Sequence, residues 1–194
     1  MKTKFNRQIF AAAVLSVILA FCLNVQKAGA QQLALKANAL TWAALTPSIG
    51  IEGVVGEKTS VGLMFMGHIN PYGIKSKFLA CQPEFRYWFG GRPLVREFIG
   101  VTAAAVAYNT TLRGLVYDGY SFVAGLTGGY AFNLGKRWNL ELTAGLGIAT
   151  FFHKQYSAGD NYPAYERPGS DEVNSHGYRI IPVNLGITFS YIIL

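Results

Sequence analysis

Between Arg137 and His153 apolar and polar positions alternate with a period of two. Trp138, Leu140, Leu142, Ala144, Leu146, Ile148, Thr150 and Phe152 share one face of an extended chain, and Asn139, Glu141, Thr143, Gly145, Gly147 and Ala149 share the other. Strands of soluble sheets are usually about 5–6 residues long, whereas a tilted strand needs roughly 9–11 to cross an apolar layer. This run of about 15 therefore predicts one stave of a transmembrane β-barrel.

The same pattern recurs along the chain and predicts eight strands. Leu33 to Trp42 sets Lys36 and Asn38 against Leu35, Ala37 and Ala39; Ile49 to Val55 sets Glu52 against Ile49, Ile51 and Val55. Val61, Leu63, Phe65 and Ile69 carry the oily face of a third strand. In Phe78 to Phe89, Gln82, Glu84, Arg86 and Trp88 oppose Leu79, Cys81, Pro83, Phe85, Tyr87 and Phe89, and Pro83 predicts a bulge. Phe98 to Tyr108 is rich in alanine, which leaves its faces unassigned. Gly119 to Phe132 sets Tyr120, Phe122, Leu126, Tyr130 and Phe132 against Ser121, Gly125, Thr127 and Gly129. The last strand sets Arg179, Ile181, Val183, Leu185, Ile187, Phe189, Tyr191 and Ile193 against Asn184, Gly186, Thr188 and Ser190.

The connectors add a direction. Those after strands two, four and six read as tight turns, while those after three, five and seven, at Asn70 to Lys77, Asn109 to Asp118 and Lys154 to His176, read as longer loops. Outer-membrane barrels have short periplasmic turns, longer external loops and an even strand number. Aromatics gather where two interfaces fall: Tyr87, Phe89, Tyr130, Phe132, Trp138, Phe189 and Tyr191 at the inner one, Phe65, Tyr108, Tyr120 and Phe152 at the outer. The expected fold is all-β, an eight-stranded antiparallel up-and-down transmembrane β-barrel.

The first 30 residues read differently. Lys2, Lys4 and Arg7 precede an apolar stretch from Ile9 to Val25, and Ala28-Gly29-Ala30 offers a cleavage site before Gln31, the layout of an export signal. Residues 1–30 are thus expected to be a signal peptide and residues 31–194 the barrel domain, in the outer membrane of a Gram-negative bacterium. Four basic residues and no acidic one leave with the signal, lowering the formal net charge from +7 to +3. So small a surplus argues against a nucleic-acid partner. Cys81 is then the one remaining cysteine, so no internal disulfide forms. Half of the residues are apolar and 14% are charged, as expected when oily side chains occupy every second position.

Lys36, Glu52, Glu84, Arg86 and Glu141 all fall on the inward face, with Gln82, Asn139 and Asn184. Eight strands leave an interior that side chains can fill, so these residues are expected to form a paired polar plug and not a wide pore.

Four stretches resemble a known family: Lys36-x-Asn38 with Leu40 and Trp42, Thr46-Pro47-x-Ile49-Gly50-Ile51-Glu52, Pro83-Glu84-Phe85-Arg86-Tyr87-Trp88-Phe89-Gly90, and Arg137-Trp138-Asn139-Leu140-Glu141. Together they are similar to small outer-membrane β-barrels of Gram-negative anaerobes, a domain of unknown function, with the architecture of the OmpA-barrel and OmpX group. The resemblance implies the barrel fold and brings no activity with it.

Candidate chemistry is sparse. A rim-located lipid-modifying enzyme would draw on His153, Ser157, Ser175, His176, Asp171 and Glu172, but Ser175 and His176 are adjacent and point to opposite faces of a strand. His68, His153 and His176 have no ligand-like spacing, so neither a metal nor a cofactor is expected. Gly125-x-x-Gly128-Gly129 and Gly145-x-Gly147 lie within strands and read as small residues relieving crowding. The Lys154 to His176 loop holds Tyr156, Tyr162 and Tyr165 among polar residues, the composition of an adaptable contact surface. The expected role is structural or interactive and not enzymatic: a monomer bedded in outer-membrane lipid and lipopolysaccharide, with a protein or glycan partner at that loop. The alternatives are a soluble lipocalin-like carrier of an apolar ligand, whose charged residues would face water, and the lipid-modifying enzyme.

Overall fold

A computed structural model describes residues 32–159 and 175–193. Eight strands follow in chain order: β1 (Leu33–Asn38), β2 (Ser48–Gly56), β3 (Thr59–Ile69), β4 (Ser76–Trp88), β5 (Arg96–Leu112), β6 (Leu115–Asn133), β7 (Trp138–Ser157) and β8 (Ser175–Ile192). Each pairs antiparallel with its chain neighbour, and β1 pairs with β8 from Ala34↔Ile192 to Asn38↔Thr188, so the sheet closes into a ring. The fold is all-β, with eight antiparallel up-and-down strands. We call the end where β1 starts and β8 finishes the lower end. The stretch read as an export signal lies outside the described residues, as do Asp171, Glu172, Tyr162 and Tyr165 of the last connector.

Alternation sorts the side chains across this wall. On β7, Asn139 and Glu141 are fully buried, whereas Trp138 is 51% and Leu146 66% exposed. On β4, Glu84, Arg86 and Trp88 face in, and Leu79, Phe85 and Tyr87 face out. Outward aromatics pair around the lower rim: Tyr87 with Phe89, Tyr130 with Phe132, and Trp138 with Tyr191, their ring centroids 5.3, 4.5 and 5.0 Å apart.

Five expectations are corrected. The first strand does not reach Trp42: it ends at Asn38, and a short helix, α1 (Ala39–Ala43), follows. Asn38 caps it by accepting from Leu40 N at 3.0 Å, which offers the chain an alternative to the ladder. The connector after β5 is no long loop. Both strands run on to a two-residue turn at Arg113 and Gly114, which take positive φ of 50° and 80°. Tyr108 is consequently placed inside the ring and not in an outer girdle, its hydroxyl 3.0 Å from His153 Nδ1. Pro83 causes no bulge; it stays in register opposite Leu63. The Thr102 hydroxyl donates to Pro83 O at 3.1 Å and accepts from Gln82 Nε2 at 3.0 Å.

The fifth correction concerns the faces of β8. Thr143 pairs with Gly186 and Gly145 with Val183, so Asn184 and Leu185 together oppose one residue of β7. Such a bulge re-aims the side chains beyond it, and Asn184 takes φ 49° there. Below it, alternation holds as read from the sequence. Above it the phase reverses, so Val183 faces in and Ile180 faces out.

Strand length is uneven around the ring. β5 to β8 hold 17–20 residues each, against 6–13 in β1 to β4. One half of the wall therefore rises higher at the upper end.

Candidate functional site

The interior is layered. At the lower end Ala34, Trp88, Leu94, Phe98 and Ala131 form an apolar floor. Leu94 comes from the connector between β4 and β5, which folds back beneath the ring with Leu94 at φ 67°. Its carbonyl accepts from Asn139 Nδ2 at 2.6 Å. Sequence reasoning treated this connector as a plain turn, since a lone inserted leucine has no periodicity to betray it.

Above the floor the five predicted charges meet. Lys36 Nζ lies 2.5 Å from both Glu52 Oε2 and Glu141 Oε2. Arg86 Nη1 bridges the same two oxygens at 3.0 and 2.8 Å, and its Nη2 reaches Glu84 Oε2 at 2.7 Å. Three carboxylates thus share two cations, and neutral donors hold the surplus charge. Ser60 donates to Glu52, Ser190 to Glu141 and Thr127 to Glu84, each at 2.5 Å, and Asn184 Nδ2 reaches Glu84 at 2.9 Å. Trp88 Nε1 donates to Ser60 at 2.7 Å, tying this layer to the floor. The Arg86 guanidinium lies over the Phe98 ring, 4.3 Å from its centroid. Gly100 leaves room for the cluster, because a Cβ there would sit 2.6 Å from Thr127 Oγ1.

This layer leaves a cavity of about 20 Å³ lined by Lys36, Glu52, Glu84, Arg86 and Asn184 among others, about enough for one water. Val123, Ala149 and Val183 pack across the ring on the taller side. Gly125, Gly145 and Gly147 pass behind Val183, and a Cβ on any of them would come within 3.0 Å of its methyls. They relieve crowding, as does Gly129 beneath Phe98; Gly128 instead borders a hollow on the outer wall.

A family model for DUF3575, described as a protein of unknown function, matches residues 13–193. The chain belongs to the DUF3575 family. Neither a comparison with curated proteins nor one with solved structures finds a match.

At the upper end this DUF3575 chain carries two histidine groupings. His153 hydrogen-bonds to Tyr108 and is flanked by the rings of Tyr117 and Phe151. Ser175 pairs opposite His153, while His176 pairs opposite Phe152 on the other face. Ser157 pairs with Leu115 at the far end of the hairpin. The rim residues considered for catalysis are therefore not assembled into a nucleophile, base and orienter among the described residues.

A second grouping escaped the sequence reading because its members are far apart in the chain. His68 Nδ1 lies 2.8 Å from Thr46 Oγ1, and its Nε2 lies 3.0 Å from Ser76 Oγ. Ser76 Oγ is also shared with Thr110 Oγ1 at 2.8 Å. Serine, imidazole and an orienting hydroxyl stand in the order a nucleophilic site uses. Ser76 is buried, however, and does not line the neighbouring pocket. The geometry serves a hydroxyl network that fixes the upper ends of β3, β4 and β5.

Proposed function

We propose that this protein is a small integral β-barrel of a Gram-negative outer membrane, exported with a cleaved signal peptide and working as a structural or interaction protein. One observation carries the reading: the distribution of side chains is inside-out relative to a water-soluble ring. Lys36, Glu52, Glu84, Arg86 and Glu141 are buried in the interior, while Ile49, Leu79, Val101, Leu126, Leu146 and Leu185 are exposed on the outer wall. Burying five charges has a large desolvation cost and is rational where the exterior is hydrocarbon and the interior is the polar phase. Closure of the lower part of the ring, where β1 pairs with β8 from Ala34↔Ile192 to Asn38↔Thr188, supports the same reading, since an open sheet edge in lipid leaves amides and carbonyls unsatisfied.

The filled interior favours a plug over a conduit, and the same inward charges argue against a soluble carrier, whose charges would face water. What remains for recognition is the raised wall of β5 to β8 and the connector between the last two of these strands, which is shorter than the Lys154 to His176 read from the sequence because Lys154 lies in β7 and His176 in β8. We assign contact with an envelope, host or matrix partner, protein or glycan, to this upper surface, and contact with outer-membrane lipid and lipopolysaccharide to the wall. The test is heat-modifiability of the protein in washed outer membranes. A faster-migrating unboiled band in the pellet is expected; recovery in the soluble fraction with no shift on boiling would overturn the reading.

A further inference from the structure

The wall is incomplete on its upper side, between β8 and β2. β1 is only six residues long, and its pairing with β8 stops at Asn38↔Thr188. Above that point residues 175–187 of β8 have, among the described residues, no strand on that side. β2 likewise loses its β1 partner above Gly50. Helix α1 sits in the gap, and side chains of the helix and of its Asn38 cap tie the two borders. Trp42 Nε1 donates to Ser48 O at 2.8 Å, and Asn38 Nδ2 to Leu185 O at 3.3 Å.

The exposed edge is shaped against pairing with another strand. Pro182 lacks an N–H, and the Asn184–Leu185 bulge kinks the edge, two devices that blunt edge strands. Beside the gap lie two apolar hollows that share Leu40 and Leu185. One, of about 290 Å³, opens inward and is lined by Leu40, Thr41, Met66, His68, Phe78 and Leu185 among others. The second, about 470 Å³, lies on the outer wall over Gly128, Tyr130, Leu142, Ala144 and Ile187. Neither lining contains Lys, Arg, Asp or Glu. Both nitrogens of His68 are engaged by hydroxyls.

We propose that this seam is a lateral lipid-binding site, in which one acyl chain of a membrane phospholipid enters from the bilayer past Leu40 and Leu185 and ends against Met66 and Phe78. The inference rests on the membrane reading above. Two apolar hollows that meet at Leu40 and Leu185, one on the wall and one inside, suit a hydrocarbon tail, and the absence of charge from both linings means that the headgroup stays outside. A second copy of the chain is disfavoured by Pro182 and the bulge.

The test reconstitutes the full mature protein in phosphatidylethanolamine vesicles, extracts it in mild detergent and counts retained lipid by native mass spectrometry. One phospholipid per chain is expected. Ala44→Trp, which fills the inward hollow, and Leu185→Asp, which sets a charge in the path, should each cut retention about tenfold, the equivalent of losing about two buried methylenes. Leu126→Trp, on the wall away from the seam, should leave it unchanged. Each variant is checked for its unboiled gel shift, so that loss of lipid is read only from a folded ring. No retained lipid in a shifted wild type, equal retention in shifted variants, or a retained free fatty acid would each overturn the inference and leave the membrane reading standing. An absent shift in the wild type would overturn both.

Discussion

Arg86→Leu tests the interior directly. Arg86 donates to all three buried carboxylates, at 2.7 to 3.0 Å, from a side chain only 5% exposed. Among the described residues, removing it leaves Glu52, Glu84 and Glu141 with Lys36 as their one cation, and Lys36 reaches only Glu52 and Glu141. Exposed ion pairs are worth about 0–1 kcal/mol, but stripping one partner from a buried network costs about 3–5 kcal/mol. With a urea dependence of roughly 2 kcal/mol per M, the unfolding midpoint should fall by about 2 M. The assay is a urea titration in phospholipid vesicles followed by tryptophan emission. Among the described residues Glu84 has no other cation, so Glu84→Gln in the Arg86→Leu background should restore about 1–3 kcal/mol through coupling between contacting residues. Lys36→Met should cost less than Arg86→Leu, because Arg86 Nη1 still bridges Glu52 and Glu141. A loss below about 1 kcal/mol for Arg86→Leu, or a double variant no more stable than the single, would refute the paired-plug account.

Leu94→Ala should destabilise by about 2–5 kcal/mol, read from the same titration, because it empties a fully buried site in the floor. Arg113→Asn should stabilise by up to about 1 kcal/mol: hairpin turns with two positive φ values prefer Asn-Gly, and arginine bears strain at φ 50°. Ser76→Ala should leave the envelope's lipid profile, read by mass spectrometry, unchanged; an altered acylation pattern would assign catalysis to the Ser76 and His68 pair. Bilayer recordings of the purified protein should show no stepwise conductance.

The strands and the inward charges were legible because one physical signal governs both. Wherever one face meets a different environment from the other, period-two alternation is written into the sequence, and the five charges that meet inside were readable from parity alone. What escaped lacks a period. Leu40, Thr41 and Trp42 alternate well enough to extend β1, yet the Asn38 cap diverts the chain into α1. Asn184 flips the phase of β8 through one left-handed residue, which leaves Ile181 and Val183 on the opposite face from the one their spacing suggested. Residues 109–118 looked like a loop because Asn109, Thr110, Thr111 and Asp118 are polar. They are paired strand instead, closed by a two-residue turn. Leu94 and the contact of His68 with Ser76 depend on tertiary placement, which no local pattern encodes.

The central claim is that the ring is inside-out, and two tryptophans report on opposite sides of the wall. Trp138 is outward at the lower rim and Trp88 is fully enclosed. With Trp42 replaced by phenylalanine, versions retaining either Trp138 or Trp88 would be reconstituted in vesicles of acyl-brominated phospholipid. Strong quenching of Trp138 by the brominated chains with Trp88 emission unaffected is the predicted result. Trp138 quenched by aqueous iodide and indifferent to brominated lipid would contradict the account.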